Sequence, residues 1–285
     1  MLIVVGLVIL FGSILGGYTM HHGKIMVLLQ WSEFLIIGGA GLGAFVMANP
    51  MVVIKRGFAR SVALLKPNPY TAKVYAELLQ MLTEFYTKAR KDGLLGVESH
   101  VENPESSDIF KKYPFFYRHH HARAFFADTM KVLLVGAVED HHLSEILDMD
   151  LERMHQEEMA VPAAITKVAD SMPGFGIVAA VLGIVITMGS IGGAATEVGE
   201  KVAAALVGTF LGILLSYGVF APIASAVEVR IASEHDYLNS IRVSLLAFAR
   251  GDGASTCVEF ARRSVQPEER PSFAQVDAMR KRQAA

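Results

Sequence analysis

One acidic residue lies within an apolar stretch of the sequence, where acids are uncommon. Glu33 belongs to the run Val27–Ala48, which is long enough to cross a membrane as a helix. Because a charge in hydrocarbon is costly unless it is paired or hydrated, an intramembrane acid is a candidate for ion transfer. Glu33 is also about two helical turns from a connector with basic residues, so a structural or gating role is the alternative.

Two later apolar spans carry small and hydroxyl-bearing residues at helical spacing. In 171–190 these residues are Pro173, Gly176, Ala180, Gly183 and Thr187. In 202–227 they are Ala205, Thr209, Gly212 and Ser216. Spacings of three and four place each set on one side of its helix. Such a side suits contact with protein or water better than contact with lipid, and ordinary helix packing is the alternative for any single residue.

These two spans are predicted to form a hairpin whose prolines and threonines match in depth. With the turn centred near Glu197, Pro173 is level with Pro222, and Thr187 is level with Thr209. A proline within a span frees a backbone carbonyl and bends the helix. A pair of prolines at one depth would therefore suit a hinge that couples events in the membrane to the rest of the chain.

The two spans contain a single acid between them. Asp170 stands at the start of the first one, at the membrane edge. Passage of protons or cations requires a titrating carboxylate nearer the middle of the membrane. We therefore expect another chain to supply that carboxylate, and its helix to lie against the small residues.

The composition places the chain among polytopic membrane proteins. The 285 residues are 52% hydrophobic, the mean hydropathy is +0.39, and the apolar residues are concentrated in blocks. Together with the two runs Met1–Met20 and Val27–Ala48, the hairpin makes four spans. The predicted fold is all-α, with a helical domain inserted between the second and third spans.

The distribution of basic residues predicts the orientation. Of 26 Lys and Arg, only Lys24 and Lys201 lie in the two short connectors. By the positive-inside rule, the large loop and the tail are cytoplasmic. A net charge of −2 argues against a nucleic-acid partner, and the single Cys257 excludes a disulfide framework within the chain.

The predicted organisation has four segments. Residues 1–49 form a first transmembrane hairpin, 50–167 a cytoplasmic helical domain, 168–227 the second hairpin and 228–285 a helical tail. Within the loop we expect an amphipathic helix that ends near Gly93, a helix over 121–137, and an acidic helix over 144–159. The basic end, 278–285, is expected to be disordered.

Metal, cofactor and catalytic sites are not expected. The histidines at 119–121, 141–142 and 155 have no accompanying cysteine, and adjacent histidines on a helix point in different directions. The run Gly39–Ala44 matches the dinucleotide pattern G-x-G-x-x-A, but it lies within a span and lacks the strand–turn–helix frame that this pattern needs. No nucleophile–base pair or phosphate loop is present, so we do not expect an enzyme.

The order of features resembles the A subunit of the flagellar motor stator, the MotA family, over essentially the whole chain. The residues that carry the resemblance are Gly16–Tyr18, Glu33, Arg90, Glu98, Glu102–Pro104, Val161–Pro162, Asp170–Ala180 (DSMPGFGIVAA), Val207–Gly218 (VGTFLGILLSYG, which includes Tyr217), Pro222 and Arg270–Phe273. The resemblance implies a ring of five copies in the bacterial inner membrane around two B subunits (MotB). A B-subunit aspartate then binds the ion.

The same resemblance implies roles for four residues. Arg90 and Glu98 match the pair that engages charges on the rotor protein FliG, and Pro173 and Pro222 match positions that couple ion passage to movement. Sodium-driven relatives have a hydroxyl on the third span where this chain has Ala180, although Thr209 is present on the fourth. Because a methyl group cannot ligate Na⁺, protons are the expected ion. A proton-driven energiser of the ExbB or TolQ type is the alternative function, although such proteins have three spans.

Overall fold

The computed structural model describes residues 2–136, 139–189 and 195–284, and all the regular structure in these ranges is helical. The chain divides into two compact units. The first comprises Met1–Pro67 and Glu157–Val229, and the second comprises Asn68–Gln156 and Arg230–Ala285. Four helices are long and apolar enough to cross a membrane, which confirms the predicted number of spans.

The first unit contains the apolar helices. Its elements are α1 (Leu2–Met20), α2 (Ile25–Leu28), α3 (Trp31–Ala48), α4 (Met51–Ala63), the membrane part of α10 (Asp140–Met188), α11 (Ala195–Ile213), a π-helical turn (Leu214–Phe220) and the start of α12 (Ala221–Ala249). Helix α1 has no buried residue, whereas α3, α10 and α11 share an apolar core around Ile37, Met172 and Leu211. This core fixes α3 against the second hairpin.

Glycines set the register of that hairpin. A Cβ placed on Gly176 would lie 2.8 Å from the carbonyl oxygen of Gly208 and 3.1 Å from the Cα of Gly212. Further along, a Cβ on Gly183 would lie 2.9 Å from the Cβ of Ala205. Only residues without a side chain, or with a methyl group, allow two backbones to approach so closely. The small residues of the two spans therefore pack largely against each other.

This register corrects the predicted pairing by depth. The close approaches pair Gly176 with Gly212 and Gly183 with Ala205, so Pro173 is level with Leu215, and Pro222 lies about 10 Å further along at about 1.5 Å per residue. Thr187 and Thr209 lie about one turn to either side of the contact between Gly183 and Ala205. The prediction was wrong because it centred the turn near Glu197, whereas Glu197 belongs to helix α11, which begins at Ala195.

The second unit has an aromatic core. Its elements are α5 (Ala72–Asp92), a 3₁₀ turn (Leu94–Val97), α6 (Glu98–Glu102), α7 (Asp108–Lys111), α8 (Pro114–Arg118), α9 (His120–Val135), the remainder of α10 and α12, α13 (Ala254–Ser264) and α14 (Phe273–Ala284). Ring centroids of Phe85 and Phe126 are 4.8 Å apart, and those of Phe110 and Phe116 are 5.2 Å apart. The amphipathic helix ends at Gly93 (φ 77°), as the sequence predicted.

Two expectations about helix boundaries were wrong. The acidic stretch 144–159 and the third span belong to one helix, α10, which continues through Pro162 and Pro173. The basic end is helical rather than disordered: α14 extends to Ala284, and its Val276 packs against the core of the second unit. Asp277 also forms ion pairs with Arg280 and Lys281 one turn later, which favours the helix.

Candidate functional site

The carboxyl group of Glu33 is buried in the first unit against the second hairpin. The residue is 5% exposed, and its Oε2 has no hydrogen-bond partner among the described residues. A Cβ on Gly208 would stand 2.5 Å from this oxygen, 3.1 Å from the Cβ of Ala179 and 3.2 Å from the backbone nitrogen of Ala180. The absence of a side chain at Gly208 therefore makes the space that the carboxylate occupies.

This contact places an acid near mid-span. Ala180 is at the middle of the apolar run 171–190, and Glu33 reaches the same level from the second span. Because helix α3 begins at Trp31, Glu33 is in its first turn, just after a break in the helix at Leu29 and Gln30. Helix α3 therefore brings an acid of this chain to the hairpin, and the expectation that another chain supplies the ion-binding carboxylate stays a prediction.

The hydroxyl-bearing and small residues of the hairpin differ in accessibility. Thr187 is 1% exposed and donates its hydroxyl to the carbonyl of Gly183 (2.8 Å), and Ala180 is buried beside Gly208. Thr209 is half-buried, whereas Tyr217, in the π-helical turn, is exposed. The outward face of the third span carries large aliphatic residues instead: Ile177, Val181, Ile184 and Val185 are all exposed.

The two prolines have different local structures. Pro173 lies inside α10, which stays helical around it, and the hydroxyl of the nearby Ser171 donates to the carbonyl of Val168 (2.8 Å). Pro222 comes two residues after the end of the π-helical turn, which is capped by Ala221, whose N–H donates to the carbonyl of Ser216, five residues back. Since proline has no N–H to offer the residue four positions earlier, the wider turn accommodates it. Asp170 is exposed at the start of the span.

Arg90, in the second unit, is engaged in the fold as well as exposed. Its Nη2 donates to the backbone carbonyl of Asp252 (2.6 Å) and, at 3.4 Å, to that of Phe248, and its guanidinium lies 4.9 Å from the centre of the Phe248 ring. These contacts join the end of α5 to the end of α12, where carbonyl groups lack helical partners. Sequence reasoning had assigned Arg90 only to a partner surface.

Glu98 lies on the other side of the end of α9. It lines a shallow depression with Glu102, Lys131 and Val135, whereas Arg90 borders Val132 and Leu133. No ion pair joins Glu98 to Arg90 in the ranges that the structure describes. In the same unit, Leu95 is 79% exposed, and Val135, which lines the depression with Glu98, is 78% exposed. A protein-binding surface often combines charged residues with exposed apolar side chains, as the residues named here do.

The histidines form two different arrangements. His119 caps α9 by accepting from the N–H of Ala122, and both His119 (3.6 Å) and His121 (3.4 Å) approach the buried carboxylate of Glu234. By contrast, Glu139, His141 and His142 are exposed and place one potential ligand atom each within 4.8 Å of one another. The first group has a structural role, and the second is exposed, with no fourth potential ligand grouped with it among the residues that the structure describes.

Comparison with known protein families identifies two matching segments. Residues 4–93 match the family model described as Motility protein A N-terminal. Residues 118–240 match the MotA/TolQ/ExbB proton channel family. The second segment includes the hairpin described above.

Individual relatives match over almost the whole chain. Motility protein A of Salmonella typhimurium and that of Escherichia coli are each 36% identical over 278 residues, which is 97% of this chain and 94% of theirs. Chemotaxis protein LafT of Vibrio parahaemolyticus is 32% identical over 272 residues, 95% of each chain.

Two solved structures share the fold. The Campylobacter jejuni structure titled MotAB superposes with a TM-score of 0.76 at 18% identity, over 95% of this chain and 98% of that one. The flagellar MotAB stator complex of Bacillus subtilis gives 0.68 at 22% identity, over 90% and 92%. These matches agree with the four-span all-α architecture.

Proposed function

Because the chain belongs to the motility protein A family, we propose that it is the proton-conducting A subunit of a flagellar stator, coupling ion flow to torque on the rotor. The observation that carries the proposal is the buried carboxylate of Glu33, which lies beside Gly208. Gly208 belongs to the second hairpin, within the segment that matches the proton channel family. The chain is an inner-membrane protein whose role is coupled transport rather than catalysis.

Within the membrane, we propose that Glu33 and the second hairpin act together in proton transfer. An unpaired buried acid is costly to retain, which favours a role in proton transfer or gating. Thr209 and Ala180 border this region, and Pro173 and Pro222 stand at two depths between it and the cytoplasmic segments. Each proton that crosses contributes about 2.3 kcal/mol per 100 mV of membrane potential.

The B subunit is the proposed partner in the membrane. The two solved structures compared above are titled as MotAB, and the exposed aliphatic face of the third span, with Ile177 and Val181, offers a large apolar surface. We assign that face to neighbouring helices, either from a B subunit with its ion-binding aspartate or from further copies in a ring of five. The small residues pack mainly within the hairpin, so they are not the principal docking surface.

The rotor surface is proposed at the end of the second unit. Arg90 and Glu98 provide opposite charges, and Leu95, three residues before Glu98, and Val135, which lines the depression with Glu98, provide exposed apolar area. A partner such as FliG, with complementary charges, would bury the apolar residues and pair the charged ones. This arrangement requires the loop and tail to be cytoplasmic, which the basic residues also favour.

Complementation is the decisive experiment. The chain is expressed with its B subunit in a bacterium lacking its own stator subunits, and swimming speed is recorded. We expect swimming that a protonophore abolishes and that replacement of Na⁺ by K⁺ leaves unchanged. No swimming, together with restored energy-dependent uptake across the outer membrane in a strain lacking its ExbB-type protein, would favour the alternative.

A second experiment tests Glu33 itself. In the same strain, Glu33→Gln removes the titrating group but keeps the side-chain shape, and Glu33→Asp retains the acid. A relay predicts that Gln abolishes torque while Asp keeps part of it. If Gln swims as well as the natural chain, Glu33 is structural and the proton path runs elsewhere.

A further inference from the structure

The first unit contains an apolar cavity that the proposed proton path does not use. Its volume is about 370 Å³, which is within the range of small-ligand pockets. The walls come from α3, α4, α10, the π-helical turn and the start of α12, and include Gly38, Phe45, Phe58, Met172 and Phe220. Among the lining residues only Ser61 has a polar side chain, so the cavity suits a hydrocarbon chain.

The cavity opens at the molecular surface beside the membrane spans. Three of its lining residues, Gly38, Leu42 and Phe58, are exposed. Gly38, Leu42 and Phe45 follow one another at intervals of four and three along α3, so they mark a groove about 10 Å long on one side of that helix. Since α3 is one of the four membrane-crossing helices, this groove is exposed to lipid tails.

Helix α4 supplies the interfacial end of this groove. Met51, Phe58 and Val62 are each more than half exposed, and Lys55 lies among them at helical spacing. An amphipathic helix with basic and exposed apolar residues, directly after a span, is typical of one lying in the headgroup region. Lys55 is one turn before Phe58, so a headgroup at Lys55 could continue into the cavity as an acyl chain.

The charges on α4 leave one cation for an external anion. Arg60 pairs with the buried carboxylate of Glu158 (2.7 Å), and Arg56 pairs with Glu157 (2.8 Å) and also approaches Glu158. Lys55 is exposed and makes no ion pair with any residue that the structure describes. A phosphate group at the membrane surface is the anion available to it.

From these features we infer a phospholipid site: an anionic glycerophospholipid places its phosphate at Lys55 and one acyl chain in the cavity between α3, α4 and α10. The site requires only that the chain is embedded in a bilayer, so its failure would leave the stator function intact. Lipid held there contacts Leu215 and Phe220 of the π-helical turn.

Neighbouring glycines provide a matched pair of variants for the acyl site. A Cβ on either Gly38 or Gly39 meets no atom within 4 Å, and both residues are exposed on α3, but only Gly38 lines the cavity. Gly38→Leu should fill the cavity, and Gly39→Leu should add the same side chain to the lipid-facing surface. For the headgroup, Lys55→Gln is compared with Lys24→Gln, which lies in the connector at the other end of the span.

Native mass spectrometry of the purified assembly measures the outcome, with phosphatidylglycerol or phosphatidylcholine titrated into the detergent. We expect tighter binding of phosphatidylglycerol, a preference reduced about fivefold by Lys55→Gln, and loss of both lipids in Gly38→Leu only. Equal binding of the two lipids, or equal behaviour of Gly38→Leu and Gly39→Leu, would overturn the proposal. The proposal would also be overturned if Gly38→Leu bound the same number of lipids but assembled with a different number of copies. That result would mean that another copy of the chain, and not a lipid, fills the cavity. If Gly38→Leu does not assemble, Ser61→Leu takes its place.

Discussion

The carboxylate of Glu33 occupies the space that a side chain on Gly208 would fill. Its Oε2 lies 2.5 Å from the position of a Cβ on that glycine, and no described residue donates a hydrogen bond to it. A glycine on the fourth span thus admits an acid from the second. The proposed ion path depends on this contact.

Replacement of Gly208 should disrupt this arrangement. Gly208→Ala brings a methyl group against Glu33, Ala179 and the backbone of Ala180, so we expect about 1–3 kcal/mol of destabilisation and loss of swimming. Gly199→Ala, on the same helix where a Cβ meets nothing within 4 Å, is the control. Thermal unfolding of the purified assembly and motility assays measure the two effects. Normal swimming in Gly208→Ala would contradict the proposed site.

The crossing of the two hairpin helices can be tested separately. In Gly212→Ala the new methyl group would lie 2.7 Å from the carbonyl of Met172 and 2.9 Å from the Cα of Gly176, and neither backbone atom can move independently. We expect poor assembly, measured as the yield of intact complex in detergent. Gly174→Ala, also within the span but without a neighbour within 4 Å, should assemble normally. Equal yields would mean that the crossing is looser than described.

Arg90 should affect stability as well as torque. Arg90→Ala removes a charged donor from the carbonyls of Asp252 and Phe248, a loss of about 1–2 kcal/mol for a partly exposed group. Glu98→Ala removes a charge without such contacts, so it should reduce torque with little change in melting temperature. Differential scanning calorimetry alongside swimming speed separates the two. A melting temperature unchanged by Arg90→Ala would restore a purely surface role for this arginine.

The stability of the tail should depend on Glu259 at low pH. Two hydrogen bonds from Arg262 (2.8 Å each) lower the pKa of Glu259 from 4.5 to about 2. The folded state therefore binds this proton less readily than the unfolded state, and its contribution is present above pH 4.5 and lost as the pH falls towards 2. Glu259→Gln should flatten the decrease in melting temperature between about pH 4.5 and pH 2, the window set by these values. The exposed Glu268→Gln should leave that decrease as it is.

Cys257 should be unreactive in the folded protein. Its side chain is fully buried, and burial raises the pKa of the thiol to about 11, so little thiolate forms near neutral pH. Maleimide should label the natural chain only after denaturation. A Ser255→Cys variant in a Cys257→Ala background places the thiol on the exposed face of the same helix and should label rapidly. Fast labelling of the natural chain would show that α13 opens in solution.

The sequence by itself determined the four spans, the all-α class, the end of α5 at Gly93 and the family. These follow from local properties: the length of apolar runs, helical periodicity and the order of motifs along the chain. It also identified Glu33, because an acid in an apolar run is visible without any contact. Whether α14 is helical depended on the packing of Val276, and here the composition pointed the wrong way.

Only the tertiary structure decided which residues meet. Helical spacing shows that small residues share a side, but it does not show what that side faces or where the turn is centred. A shift of a few residues in the hairpin moves Pro173 away from Pro222 and brings Gly208 to Glu33. The register between two helices is set by where their backbones can approach most closely. That position depends on many contacts between residues that are distant in the chain. Local sequence patterns do not show which of these distant residues come into contact.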